Sequence, residues 1–176
     1  MTRMHTGAAL SGQPTIGNFR AAVQKIPSAI AILTATAEGR ELGLTVTGTS
    51  ICAVPTDPAG LVLAVNAASP LVAMMRASGR CAISFLPETL AQLARAHLDP
   101  RACGTPRFDP ALWSRRTPDS PPWLDAAIAA MDCRIVHEQA EGIHLIITAR
   151  VEGVLSTEAE GLMYRDGLLR RLEPKG

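Results

Sequence analysis

The chain has 176 residues, 47% of them hydrophobic and 19% charged, which is long enough to bury roughly two-thirds of its unfolded surface as one domain and too apolar for intrinsic disorder. Its 17 Lys+Arg against 16 Asp+Glu leave a net charge of +1, so the basic excess that draws proteins to nucleic acid or anionic lipid is missing, and neither is expected as a partner. Aromatics at 3% dictate an aliphatic core and leave few platforms for stacking bases.

Residues 1–17 carry Gly and Pro interruptions without periodicity and read as a flexible tail. The apolar patch Ala8, Ala9, Leu10 is too short for a secretory signal. The domain then runs over 18–176, beginning with a short helix at 18–25 that Pro27 ends. A strand is expected at 30–36, followed by hairpin-turn chemistry at Glu38, Gly39 and Arg40 and a returning strand from Leu42. Leu44 and Val46 alternate with Thr45 and Thr47 until Gly48, where the apolar phase slips, and a β-bulge over 48–50 explains the slip. After the turn at Asp57 and Pro58, residues 61–65 read as a strand buried on both faces.

Ser69 followed by Pro70 starts a helix that Gly79 ends. A strand at 81–86 precedes a helix opened by Pro87, in which Leu90, Leu93, Ala94 and His97 share one face. Six of the 13 prolines lie within residues 99–122, and this density predicts a long excursion that covers a site or clasps a neighbouring subunit. A helical turn or two is expected at 123–131. Strands at 133–137, 143–151 and 162–164 complete a mainly β (α+β) architecture, a split barrel of about six or seven antiparallel strands with peripheral helices. No stretch reads as a membrane span. Cys52, Cys81, Cys103 and Cys133 form no Cys-x-x-Cys pair, so a reduced, soluble, cytoplasmic protein is expected.

The chain lacks the Gly-x-Ser-x-Gly elbow, the Gly-x-Gly-x-x-Gly fingerprint and the P-loop. Cys133, His137 and His144 do not form a metal set, because strand periodicity separates 137 from 144 and a fourth ligand is lacking. No metal is expected. The hydroxyls of Thr45, Thr47, Thr49 and Ser50 around Gly48 suit a phosphate or an amide-edged heterocycle, although the same residues would equally line a solvated strand. Asn66 and Ser69 flank a helix N-terminus that can cradle an anion or simply be capped. His144 sits on the polar face of a strong strand.

The order of these segments resembles the flavin reductase family with an FMN-binding split barrel, in particular the small reductase components of two-component flavin-dependent monooxygenases. The likeness runs from Phe19-Arg20 and Pro27 through Ala31-Ile32-Leu33-Thr34 and Gly43-Leu44-Thr45-Val46-Thr47 to Asp57-Pro58, Leu61-Val62-Leu63-Ala64-Val65-Asn66 and Ser69. It continues through Ser78-Gly79-Arg80-Cys81-Ala82-Ile83-Ser84-Phe85-Leu86, Arg107-Phe108, Trp113, Met131-Asp132-Cys133, Gly142-Ile143-His144, Arg150-Val151 and Gly161-Leu162-Met163-Tyr164.

The resemblance implies an NAD(P)H:flavin oxidoreductase that passes hydride from NADH or NADPH to FMN or FAD, works as a homodimer and supplies a partner monooxygenase with reduced flavin. It also implies site roles. Thr45, Thr47, Gly48, Thr49 and Ser50 meet the flavin ring and ribityl chain, Asn66 and Ser69 its phosphate end, His144 the nicotinamide, and Tyr164 and Arg170 also contribute to cofactor binding. The chain is longer between Gly43 and Asp57 than the family's usual spacing, so Thr45-Val46-Thr47 and Thr49-Ser50 compete for the same contacts. A flavin-binding carrier or sensor of the same fold without turnover is the alternative, and a haem or pyridoxal-phosphate split barrel lacks a supporting residue cluster.

Overall fold

The computed structural model describes residues 15–98 and 108–172. Of the expected tail over residues 1–17, residues 1–14 lie outside them, as does the first part of the proline-rich excursion with Cys103 and Arg107, while residues 15–17 already cap and open the first helix. Helix α1 (Ile16–Gln24) starts on a reciprocal cap, in which Thr15 Oγ1 accepts from the Asn18 amide at 3.2 Å and Asn18 Oδ1 accepts from the Thr15 amide at 2.8 Å. Strands β1 (Ser28–Ala37) and β2 (Arg40–Thr47) form a hairpin whose turn places Glu38 and Gly39 at φ 53° and 70°. Positive φ at both central positions matches the right-handed strand twist.

The expected bulge at residues 48–50 is a turn of 3₁₀ helix, Gly48–Ser50. It ends the β1–β2 pairing and carries the chain across to β3 (Ile51–Val54), which pairs with β4 (Gly60–Asn66). Ser69 Oγ accepts from the Leu71 amide at 3.3 Å to cap α2 (Pro70–Ser78), and Gly79 at φ 65° terminates it, as the sequence predicts. Strand β5 (Arg80–Phe85) follows. The second expected helix divides into a 3₁₀ turn at Glu88–Leu90 and α3 (Ala91–Ala96).

Residues 108–122 fold back onto this chain's own core. The short strands β6 (Trp113–Ser114) and β7 (Trp123–Leu124) pair there, Trp113 is buried, and the Thr34 hydroxyl donates to Pro122 O at 2.7 Å. The helical turn expected at 123–131 is absent. Those residues contain β7 and then enter β8 (Ala129–Glu141), because their small apolar side chains face the second core and their backbone is drawn into the β5 ladder. Strand β9 (His144–Ser156) buries Leu145, Ile147 and Ala149 on the face the alternation assigns to the core, and β10 (Leu162–Arg165) and β11 (Leu168–Arg171) close the chain.

The fold class is the expected one, with more strands than the sequence reveals. Nine antiparallel strands run in the order β11-β10-β1-β5-β8-β9-β4-β3, with β2 on β1. Inside the barrel lie Ala31, Leu33, Leu63, Ile83 and Ile147 with α2 packed on them; a second core on the other face of β1 joins Ile30, Ile32, Trp113, Leu124 and Leu162. The barrel splits along β1, which pairs with β2 from Ile30 onward but with β10 at Ser28 and Ala29.

Candidate functional site

Three groups of sequence-predicted residues emerge. At one end of the barrel, β4 and β9 finish side by side with Asn66 opposite His144. The Ala67 amide donates to Ile143 O at 3.0 Å, which makes that neighbouring pair the hydrogen-bonded one. Asn66 and His144 therefore occupy a non-hydrogen-bonded position, where facing Cα atoms sit about 4.5 Å apart and side chains approach most closely. Asn66 Oδ1 accepts from the Ala68 amide at 2.9 Å, and the Ser69 amide donates to Asn66 O at 2.9 Å. This tight turn brings the start of α2 beside the pair. Asn66 and His144 are both exposed.

The second group is the turn after β2. Thr45 is occupied by α3, since its hydroxyl donates to Ala94 O at 2.8 Å and its amide to His97 O at 3.0 Å. Thr47 pairs with Ile30 and leads into Gly48, Thr49 and Ser50. Gly48 lies so close to β1 that a Cβ there would stand 3.2 Å from Ala29 N and 3.4 Å from Ala29 O. Beside it opens a cavity of about 440 Å³ walled by Ile26, Ala29, Ile51, Leu61, Phe85 and Met131. Three steps along β4, about 10 Å of strand, separate Leu63, the partner of Ile51, from Asn66.

The third group lies across the β1–β10 pairing from that cavity. Tyr164 faces Ser28 in register and packs into the second core, whereas Arg170, opposite Met163, is exposed on the β10–β11 hairpin. The structure thus joins Asn66, Ser69 and His144 closely, sets Gly48–Ser50 along the strand from them, and leaves Tyr164 and Arg170 beyond the split.

Sequence reasoning missed a charged cluster at the opposite end of β5. Arg80 meets Asp132 and Glu152 at 2.9 Å each, Arg116 Nε meets Asp132 at 2.8 Å, Arg134 holds Glu152 at 2.7 Å, and the Ser120 hydroxyl donates to Asp132 at 2.7 Å. Burial would raise the Asp132 carboxyl, but hydrogen bonds from Ser120 and Arg116 and the charge of Arg80 hold it below its ordinary value. Its sequence signal is a charge inside an apolar strand at Arg80 and Asp132. Cys81 and Cys133 are free, buried and directly opposite in β5 and β8, and a hydrogen bond to Cys133 together with burial pushes the Cys81 thiol well up. His97 is buried too, its ring centroid 5.7 Å from that of Phe108 and 5.9 Å from that of Trp113.

Among the described residues no group of three or more His, Cys, Asp or Glu could hold a metal, and no helix is long and apolar enough to cross a membrane. An open, mainly apolar cleft, close backbone approach at Gly48 and a polar pair within strand reach suit a flat heterocycle with a polar edge.

Comparison with known proteins gives this arrangement its context. A family model described as the flavin reductase like domain matches residues 23–173. The chain belongs to the flavin reductase family. The FMN reductase (NADH) RutF of Methylorubrum extorquens is 31% identical over 160 residues, covering 88% of this chain and 74% of that protein. The reductase component of 4-hydroxyphenylacetate 3-monooxygenase from Escherichia coli is 27% identical over 158 residues, covering 89% of each. The solved NADH:FAD oxidoreductase SgcE6 of Streptomyces globisporus superposes with a TM-score of 0.83 at 22% identity, over 96% of this chain and 99% of that one, and shares its fold.

Proposed function

We propose that the chain is an NAD(P)H:flavin oxidoreductase that transfers hydride from NADH or NADPH to FMN or FAD and supplies a partner flavin-dependent monooxygenase with the reduced product. Family membership and the named activities of the relatives support the class. The observation that carries the site is the Gly48–Ser50 turn beside the apolar cavity, with Asn66 and His144 at the end of the same sheet. A bound flavin supplies the hydride acceptor; the protein supplies alignment and electrostatics.

In this reading the cavity walls take the apolar ring edge, and the turn's amides with Ser50 meet the polar edge. Because Thr45 is already bonded to α3, Thr49-Ser50 is the half of the competing pair left for those contacts. Asn66 and Ser69 hold the phosphate end, and His144 orients the nicotinamide so that the two rings stack at reacting distance. Its imidazole need not move a proton, since hydride transfer requires no obligatory general acid.

The outward face of β4 and β9 carries Val62, Ala64, Ile146 and Thr148, all half-buried. Such a surface suits a second copy, and we assign the working form as a homodimer, to be checked by light scattering; a fully active monomer refutes it. Free thiols at Cys52, Cys81 and Cys133 suit a reducing cytoplasm.

Oxidation of NADH and NADPH by the purified protein, with and without FMN or FAD, tests the reading. Turnover that depends on added flavin supports a reductase releasing reduced flavin, and flavin binding without turnover moves the chain to a carrier or sensor.

A further inference from the structure

A groove of about 600 Å³ opens beside the β1–β2 turn and the end of α2, with Thr36, Glu38, Ser78, Arg80, Asp119 and Arg134 among its walls. It is distinct from the apolar cavity, because Arg80 begins β5 and Phe85, a cavity wall, ends it, about 17 Å of strand away. Register builds its floor. Arg80 stands directly opposite Arg134, and Thr36 lies two residues beyond Thr34, whose partner Ala82 lies two residues beyond Arg80. Their neighbours Ala35, Cys81 and Cys133 belong to the barrel core. Alternation therefore sets Thr36, Arg80 and Arg134 in one row across three strands, on the opposite face.

This row holds donors that the fold leaves unused. The Arg80 side chain is 9% exposed, and its Nη2 meets Asp132 and Glu152 at 2.9 Å each. Its Nε–H and the Thr36 hydroxyl are buried, yet neither has a hydrogen-bond partner among the described residues. A buried donor left unpaired keeps its full desolvation penalty, so two of them in one wall call for an acceptor from outside. Charge narrows the choice. Three guanidiniums, of Arg80, Arg116 and Arg134, face the two carboxylates of Asp132 and Glu152. One positive charge is left over, enough for a carboxylate rather than a dianionic phosphate. Elsewhere the groove has the other sign, since Glu38 and Asp119 line it beside the C-terminal, negative end of α2.

We propose that the groove binds a small zwitterion, with its carboxylate on Arg80 Nε, the Thr36 hydroxyl and Arg134, and its ammonium group toward Glu38 and Asp119. The ligand class is an amino acid or a longer amino-carboxylate, bound at the end of the barrel remote from the hydride-transfer site.

The test titrates the wild-type protein with glycine, γ-aminobutyrate and ε-aminohexanoate, which carry the two charges at increasing separation, and with acetate and inorganic phosphate for comparison. Amide NMR shifts read the site. The expected result is saturable shifts at residues 36–39 and 77–80 from at least one zwitterion, which binds more tightly than acetate or phosphate. Thr36→Val and Arg134→Gln should each weaken it about fivefold or more, and Glu38→Gln/Asp119→Asn should reduce it to the affinity of acetate. Because valine matches threonine in shape, Thr36→Val should leave the melting temperature of the ligand-free protein level or higher. No saturable shift from any zwitterion overturns the proposal, as does acetate binding equally well, or an affinity unchanged by Thr36→Val and Arg134→Gln together. A lowered melting temperature for ligand-free Thr36→Val also overturns it, because the hydroxyl would then serve the fold.

Discussion

Asn66 and His144 end their strands directly opposite each other, at a position where the ladder leaves their side chains closest. Asn66 is fixed by its own turn, through the bond it accepts from Ala68, while His144 stands exposed in the strand beside it. One polar group is thus pinned next to an exposed imidazole at the end of the β4–β9 ladder. His144→Ala should slow hydride transfer by about tenfold or more through lost alignment. Asn66→Ala should act partly through the same ring, so the double variant should lose less than the product of the single losses. Stopped-flow reduction of the flavin measures all three, and unchanged turnover of His144→Ala at saturating NADH removes that residue from the reaction.

Breaking the Arg80 cluster should cost stability rather than chemistry. Asp132 is 1% exposed and receives Arg80, Arg116 and Ser120 together. Asp132→Ala leaves Arg80 and Arg116 only Glu152 as a carboxylate partner and should destabilise the fold by about 3 kcal/mol, read as a shifted urea midpoint with an unchanged slope.

The same cluster sets an acid limit. Asp132 is held below its ordinary 3.8 by hydrogen bonds and by Arg80, against the opposing effect of burial. Glu152 is held below 4.5 chiefly by its hydrogen bond from Arg134 and by the charge of Arg80. Groups whose folded values are depressed contribute stability above their unfolded values and lose it as pH falls through the folded ones. Thermal melts should therefore hold level with respect to these two groups above about pH 5 and fall below about pH 4; Asp132→Asn should flatten that fall. An equally steep acid transition in the variant assigns it to other carboxylates.

Gly48→Ala tests the turn. Its new Cβ would press on backbone atoms of Ala29, which cannot swing aside as a side chain would. The expected response is a displaced turn and flavin binding weakened by about tenfold, with the melting temperature lowered by only a few degrees. Titration of flavin fluorescence against a thermal melt separates the two effects.

The thiols offer a check on packing. Cys52 is exposed, and Cys81 and Cys133 are buried against each other with the Cys81 thiol pushed up. Iodoacetamide followed by peptide mapping should label Cys52 rapidly in the native protein and reach Cys81 and Cys133 only in denaturant. Rapid native labelling of Cys81 would show that β5 opens.

Much of this architecture was legible wherever a local rule settled the matter. Ser69-Pro70 and Gly79 bracket α2 because cap, first-turn proline and left-handed stop act within a few residues. Leu145, Ile147 and Ala149 turn inward because strand alternation has one buried face. The pairing of Asn66 with His144 was not legible, since register between strands distant in sequence depends on the whole sheet. Residues 123–131 misled for a related reason: their small apolar side chains satisfy a helix as well as a strand, and only the partner strand β5 decides between them. Thr45 and Thr49 look alike in sequence, and contact with α3 tells Thr45 apart. Arg80 and Asp132 are ordinary charges until folding buries them together.

The split along β1 sets an order of assembly. The first two residues of that strand, Ser28 and Ala29, find their partners only in Tyr164 and Met163, near the far end of the chain. A growing polypeptide on the ribosome carries this edge unpaired until Met163 and Tyr164 have emerged. The β1–β10 seam beside the apolar cavity thus forms only after residues 162–165 are made, and losing the β10–β11 hairpin would leave Ser28 and Ala29 without their ladder partners.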